Sequence, residues 1–137
     1  MYSFNFDMAT KSYFKKVKVL DGGFGSQISK MVEAPVDGDA LWSARFLSTN
    51  KQAVVDAHLS FLRGTLNARV SQSWFGLLAG ADVVETNTYQ ASVEGFKTHL
   101  NVTDGEAYDL IKEAVHLAKE ARSIYMKETL CADNGIL

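Results

Sequence analysis

Residues 81–88, Ala81-Asp82-Val83-Val84-Glu85-Thr86-Asn87-Thr88, form the stretch on which the predicted fold depends. This stretch is short and rich in β-branched residues, and it lies between Gly80 and a polar run, which is typical of a strand. Earlier in the chain, residues 17–20 alternate apolar and polar side chains and end at an Asp-Gly-Gly turn. We therefore predict two strands, the first over 17–20 and the second over 81–88.

Helical patterns separate and follow these strands. Asn50 is a predicted N-cap for an amphipathic helix that ends at about Arg63, and Thr103 with Glu106 forms a predicted capping box for a helix that ends at about Met126. Shorter helical stretches are predicted over 24–32 and 41–47. The predicted core stripes are Val54, Ala57, His58, Phe61 and Leu62 in the first long helix, and Ala107, Leu110, Ile111, Ala114, Leu117, Ala118 and Ala121 in the second.

The order strand, helix, strand, helix predicts an α/β fold built from right-handed β-α units on a parallel sheet. Two strands cannot complete such a fold, because a closed β-α barrel takes about 250 residues. The tail from Thr129 to Leu137 offers no third strand. We therefore expect a truncated domain over 17–137, preceded by an N-terminal extension over 1–16.

Composition excludes several classes of protein. Of the 137 residues 47% are apolar and 22% are charged, with one proline and one cysteine, which is typical of a single globular domain. The longest run without polar side chains, Trp74 to Ala81, is far shorter than the roughly 20 residues of a membrane-spanning helix. The 14 basic residues are not clustered against the 16 acidic ones, so neither nucleic acid nor a membrane is a predicted partner. A lone cysteine and the lack of a secretory signal in 1–16 predict a cytoplasmic location.

Candidate binding residues follow the two predicted strands, where β-α folds place their ligands. The Asp21 carboxylate can accept hydrogen bonds from a ligand ammonium, and Gly22 allows a close approach of its backbone. Asn87, Tyr89 and Gln90 can hydrogen-bond a polar substrate. In the alternative interpretation, Asp-Gly-Gly is only a turn, and the later residues only satisfy backbone groups where the strand ends.

Other polar residues do not form a pattern of known chemistry. Glu85 lies on the same strand face as Asn87, so a barrel interior on that face would bury its carboxylate. The lone Cys131 has no neighbouring histidine or second cysteine, which argues against a nucleophile or a metal site. No two histidines have metal-ligand spacing. We therefore predict no catalytic and no metal-binding residue in this chain.

Three ordered motifs resemble the N-terminal part of homocysteine S-methyltransferases. They are Val19-Leu20-Asp21-Gly22-Gly23, Leu41-Trp42-Ser43-Ala44-Arg45 and the run from Ala79 to Ser92. The resemblance spans roughly residues 17–126. It implies a (β/α)8 TIM barrel of which this chain would hold about two β-α units, and a cytoplasmic enzyme of methionine biosynthesis.

The resemblance also implies a reaction and a set of site residues. Enzymes of this family are zinc-dependent and transfer a methyl group to the sulfur of homocysteine, which gives methionine. The run Asn-Thr-Tyr-Gln-Ala-Ser over 87–92 is more similar to enzymes that use S-methylmethionine or S-adenosylmethionine than to betaine-dependent relatives. Asp21 and Gly22 match the motif that holds the homocysteine amino group. Trp42, Asn87, Tyr89 and Gln90 match positions that line the substrate cavity.

The chain departs from the family pattern in two places. The family's zinc ligands are cysteines on later strands, including an adjacent pair, and Cys131 does not match them. In addition, an insert over 64–78 separates a helix end and a strand start that are nearly contiguous in the family. Its 15 residues would suit a translated short intron, which is a hypothesis about its origin.

These departures divide the functional expectations. The chain is expected to be a homocysteine S-methyltransferase family member in an incomplete and inactive form, with homocysteine and a methyl sulfonium donor as its ligands. The alternative is a non-catalytic fragment that binds a partner, such as a full-length paralogue, through unpaired strand edges. A chain that buries too little apolar surface to fold is a third possibility.

Overall fold

The computed structural model describes residues 18–64 and 80–133, and it describes side chains as far as Leu130. Within these ranges no helix is long and apolar enough to cross a membrane. The helices are α1 (Phe24–Val32), a 3-10 helix that we call the tryptophan turn (Trp42–Arg45), α2 (Phe46–Thr49), α3 (Lys51–Arg63), α4 (Val93–Leu100) and α5 (Asp104–Asp133).

The two predicted strands are much shorter in the structure than in the sequence analysis. Between residues 18–20 and 80–88 a single parallel bridge forms, Leu20 to Val83, so the prediction of full strands is wrong while their pairing is parallel. One ladder bond, from the Asp21 N–H to the Val83 carbonyl, measures 3.0 Å. Around the bridge, aspartate side chains replace backbone acceptors, because the Asp82 carboxylate accepts the Val19 N–H at 2.9 Å. The described part of the chain is therefore mostly helical and does not show a barrel.

The predicted helix starts are confirmed by their caps. Asn50 Oδ1 accepts the Ala53 N–H at 3.1 Å at the start of α3. Glu106 Oε2 accepts the Thr103 N–H at 2.8 Å, and Thr103 Oγ1 accepts the Glu106 N–H at 3.3 Å, which completes the capping box of α5. The predicted end of α5 at about Met126 is wrong, since the helix continues to Asp133. No glycine or proline occurs between Met126 and Asp133 to end it.

Helices α3 and α5 pack together and run in the same direction. Lys51 Nζ lies 2.7 Å from Glu113 Oε1 near the start of α3, and Arg63 donates two hydrogen bonds to Glu128 at its end. Parallel helices beside a parallel bridge are the arrangement that consecutive β-α units require. The predicted stripes supply much of the core: buried residues include Val54, Ala57, His58, Leu62, Ala107, Ala114, Leu117 and Ala121.

The predicted insert over 64–78 lies outside the described residues except for Gly64. The described ends of this segment meet. The N–H groups of Gly64 and Ala81 both donate to the Phe61 carbonyl, at 3.2 and 2.8 Å. A Cβ atom on Gly80 would collide with the Leu62 carbonyl, so only glycine fits this junction. The chain thus leaves α3 and returns to the bridge at one place.

Because the two ends already touch, deletion of residues 65–79 with a direct Gly64–Gly80 link should preserve the fold. We expect an unchanged far-UV circular dichroism spectrum and a free energy of unfolding in urea within about 1 kcal/mol of the parent chain. Gly80→Ala is the matched control, and we expect it to lower stability by more than the deletion does. Loss of the cooperative transition in the deletion variant would contradict this account.

His58, on α3, is buried in the hydrophobic core. Its ring is fully buried and its centroid lies 4.8 Å from that of Phe24. Neither ring nitrogen has a hydrogen-bond partner among the described residues. Burial lowers the pKa of His58 from 6.5 to about 4. The neutral ring is therefore the form that suits the folded chain.

The free energy of unfolding should decrease as the pH is lowered, because His58 is buried in its neutral form. The unfolded chain protonates this ring below about pH 6.5, whereas the folded chain resists protonation until about pH 4. Full stability is thus present above pH 6.5, and on the order of 3 kcal/mol is lost as the pH falls to 4. The free energy of unfolding, measured by urea titration at each pH, should decrease less on acidification for His58→Leu than for the parent chain. His116→Leu, at an exposed position, is the control, and equal losses in all three proteins would refute the assignment.

Candidate functional site

The ends of the two bridged segments bring Asp21 and Glu85 side by side. Asp21 Oδ2 accepts the Glu85 N–H at 3.0 Å, and the Asp21 side chain is partly exposed. Burial raises the pKa of Asp21; the bond from the Glu85 N–H acts against this effect, and the nearby Glu85 carboxylate adds to it. Two neighbouring carboxyl groups make this corner attractive to a cation.

Glu85 is exposed in the structure. Its strand face therefore does not bury the carboxylate, as a barrel interior on that face would. Gly22 is also exposed beside Asp21, and a Cβ atom there would stand 3.4 Å from the Phe61 ring. The backbone at Gly22 is therefore open to a ligand. Gly23 leads directly into α1, because its carbonyl accepts the Gln27 N–H at 3.1 Å.

Trp42 and Tyr89 form an aromatic pair at the same end of the fold. Their ring centroids lie 6.1 Å apart and their planes meet at 68°, an edge-to-face geometry. The Trp42 ring also covers Gly25, where a Cβ atom would collide with it. Tyr89 is 84% exposed and Trp42 is partly buried, so one face of the pair is open to solvent.

Asn87 differs from its neighbours because it is buried, with 3% exposure. Its Nδ2 donates to the Ser43 carbonyl at 3.0 Å, and its buried Oδ1 has no partner within the described residues. Gln90 is exposed, as is Tyr89. The structure thus brings Asp21 to Glu85 and Trp42 to Tyr89, and it joins Asn87 to the tryptophan turn.

The sequence analysis missed Ser43, which takes part through its backbone carbonyl. No side-chain pattern signals such a role, because any residue type carries that carbonyl. Glu85 was noted from its strand face, but its contact with Asp21 depends on the register of the bridge. That register cannot be read from two short segments.

The described clefts lie away from these residues. A cleft of about 640 Å³ lies between residues 80–86 and α5, and a second of about 410 Å³ lies beside Arg45 and His99. None of the six predicted site residues lines either cleft. Gly22, Tyr89 and Gln90 are exposed instead and form an open surface at the end of the bridged segments.

A zinc ion does not fit the described residues. Over 18–64 and 80–133 no group of three or more histidine, cysteine, aspartate or glutamate side chains is placed to hold a metal ion. The side chain of Cys131, the only cysteine, lies outside the described part.

Comparison with known proteins relates the chain to one family. A family model described as homocysteine S-methyltransferase matches residues 18–135. Betaine-homocysteine S-methyltransferase of Drosophila melanogaster is 45% identical over 114 residues, which cover 83% of this chain and 30% of that protein. Homocysteine S-methyltransferase 1 of Zea mays is 36% identical over 112 residues, 82% of this chain and 29% of that protein.

A third relative, selenocysteine methyltransferase of Astragalus bisulcatus, is 29% identical over 120 residues, which cover 88% of this chain and 30% of that protein. No solved structure matches the chain. The chain thus spans about 30% of the length of these curated relatives. The fly relative is named for betaine and homocysteine together, whereas the two plant relatives are named for the methyl acceptor alone.

Proposed function

Because the chain belongs to the homocysteine S-methyltransferase family, we propose that it carries the part of a methyl-transfer site that binds the amino-acid end of homocysteine. The family's (β/α)8 barrel is part of this proposal, with the chain contributing its first two β-α units. The parallel bridge and the parallel helices α3 and α5 support it.

The observation that carries the proposal is the state of the Asp21 carboxylate. The Glu85 N–H binds Oδ2 and fixes the carboxylate at the strand end, where the partly exposed side chain can still accept a hydrogen bond from a ligand. A primary ammonium supplies three donors and a positive charge, so it suits an oxygen beside a second carboxylate. The exposed backbone of Gly22 can bind the same amino-acid end.

The aromatic pair suits the methyl donor. Sulfonium and quaternary ammonium groups are cations, and the faces of tryptophan and tyrosine rings attract cations. Trp42 and Tyr89 are therefore proposed to line the donor side, together with the exposed Gln90. The run over 87–92 favours S-methylmethionine or S-adenosylmethionine as donor, and betaine is the competing donor because the fly relative is named for it.

The resemblance implies a zinc ion that cysteines would hold and that would lower the pKa of the homocysteine thiol, and the described residues offer no fitting ligands for it. We therefore propose that the 137-residue chain by itself binds homocysteine without methylating it.

A second candidate function is docking on a full-length paralogue. Exposed Val19, Leu20 and Val83 at the bridge favour it, because a neighbouring strand would cover them.

Binding should depend on the ammonium group and on Asp21. Titration calorimetry should detect binding of L-homocysteine to the chain. It should detect no binding of N-acetyl-L-homocysteine, because the amide of this compound carries no charge. Asp21→Asn keeps an acceptor for the Glu85 N–H but removes the charge, so we expect at least tenfold weaker binding, about 1.4 kcal/mol. Asp82→Asn is the matched control, since Asp82 accepts the Val19 N–H near the other end of the same bridge. Equal affinity for both compounds would refute the proposed site.

Methyl transfer should be absent from the isolated chain. We expect no methionine when the purified chain is incubated with zinc, homocysteine and each donor in turn: S-methylmethionine, S-adenosylmethionine and betaine. The reason is that the chain's single cysteine cannot reproduce the family's set of thiolate ligands. If methionine forms and a chelator abolishes its formation, the predicted lack of activity is wrong. The donor with which methionine forms would then identify the donor class.

A further inference from the structure

Trp42 has a backbone conformation that tryptophan seldom adopts. Its φ angle is 48°, in the left-handed region. The other described non-glycine residues with positive φ, Glu33 and Asn101, are the C-caps of α1 and α4, where this conformation is common. Trp42 instead begins the tryptophan turn, so another contact must hold it there.

Most polar contacts of the tryptophan turn are local in sequence. The Trp42 N–H donates to the Asp39 carbonyl at 3.0 Å, and the Arg45 guanidinium pairs with the Asp39 carboxylate at 2.7 Å. The bond from Asn87 Nδ2 to the Ser43 carbonyl differs, because it joins residues 44 positions apart and is buried. It ties the turn to the segment that follows the bridge.

The same segment contacts the Trp42 side chain. Tyr89, two residues after Asn87, packs edge-to-face against the Trp42 ring, which also lies against the backbone of Gly25. The ring can lie there only if the backbone of the turn stays in place. The Asn87 amide binds the carbonyl of Ser43, which is the residue next to Trp42 in the turn.

Asn87 itself offers no surface to a ligand. Its Nδ2 is used by the Ser43 carbonyl, and its Oδ1 is enclosed by protein. A substrate cannot reach either atom without moving the turn. We propose that Asn87 is a positioning residue, whose amide holds the Ser43 carbonyl and thereby keeps the Trp42 ring against Gly25 and Tyr89. This inference rests on the proposed function, in which Trp42 and Tyr89 line the site.

The solvent exposure of the Trp42 ring tests this proposal. Trp74→Phe leaves Trp42 as the only tryptophan, and acrylamide quenching of its fluorescence then reports its cover. Asn87→Asp has the same shape but places an oxygen where the amide donated, and Asn87→Ala removes the group. We expect both to raise the quenching constant at least twofold in the folded chain. Asn87→Ser replaces any variant that far-UV circular dichroism shows to be unfolded.

Two controls bracket this measurement. Gly25→Ala should raise quenching in the same way, because its new methyl group occupies the place of the ring. Ser48→Ala, at an exposed position in the adjacent α2, should leave quenching unchanged. If quenching in the Asn87 variants equals that of the parent, Asn87 does not position Trp42 and the inference is wrong.

A double-substitution cycle on binding of the donor S-methylmethionine separates positioning from direct contact. If Asn87 acts through Trp42, Asn87→Ala weakens S-methylmethionine binding severalfold in the parent chain and has no further effect in Trp42→Ala. An equal loss in both backgrounds would show that Asn87 touches the ligand, which overturns the inference. A chain that binds no homocysteine would refute the proposed function, and the quenching result would still decide the role of Asn87.

Discussion

The hydrogen bonds between residues 18–21 and 80–85 are the constraint on which the described fold depends. They set the two β-α units parallel, so that α3 and α5 pack side by side in the same direction. Asp21 extends this contact beyond the bridge by accepting the Glu85 N–H. The same carboxylate thus joins the strand ends and supplies the charge of the candidate site.

Helix packing and the site depend on this junction in different ways. The contact of α3 with α5 is held by a buried apolar stripe and by ion pairs at both ends, so it is extensive. The site surface is held by few bonds: Asp21 to Glu85, Asn87 to Ser43, and the pair of Trp42 and Tyr89. Loss of one of these bonds should therefore change the surface more than the fold.

The helices could be predicted from the sequence because their signals are local. The Asn50 cap and the box of Thr103 and Glu106 use partners three residues apart, and the stripes repeat within each helix. Strand length could not be predicted, since a strand extends only where a neighbour accepts its bonds. The same limit applies to Trp42 and Asn87, whose arrangement depends on a backbone carbonyl from a distant segment.

The central claim is that the joined strand ends bind the amino-acid part of homocysteine. Amide chemical shifts of the ¹⁵N-labelled chain, followed during titration with L-homocysteine, test this most directly. The account predicts saturable shifts concentrated at residues 21–23 and 85–90, with little change in the middle of α5. Shifts that are absent at saturating ligand, or that centre on the cleft between residues 80–86 and α5, would contradict it.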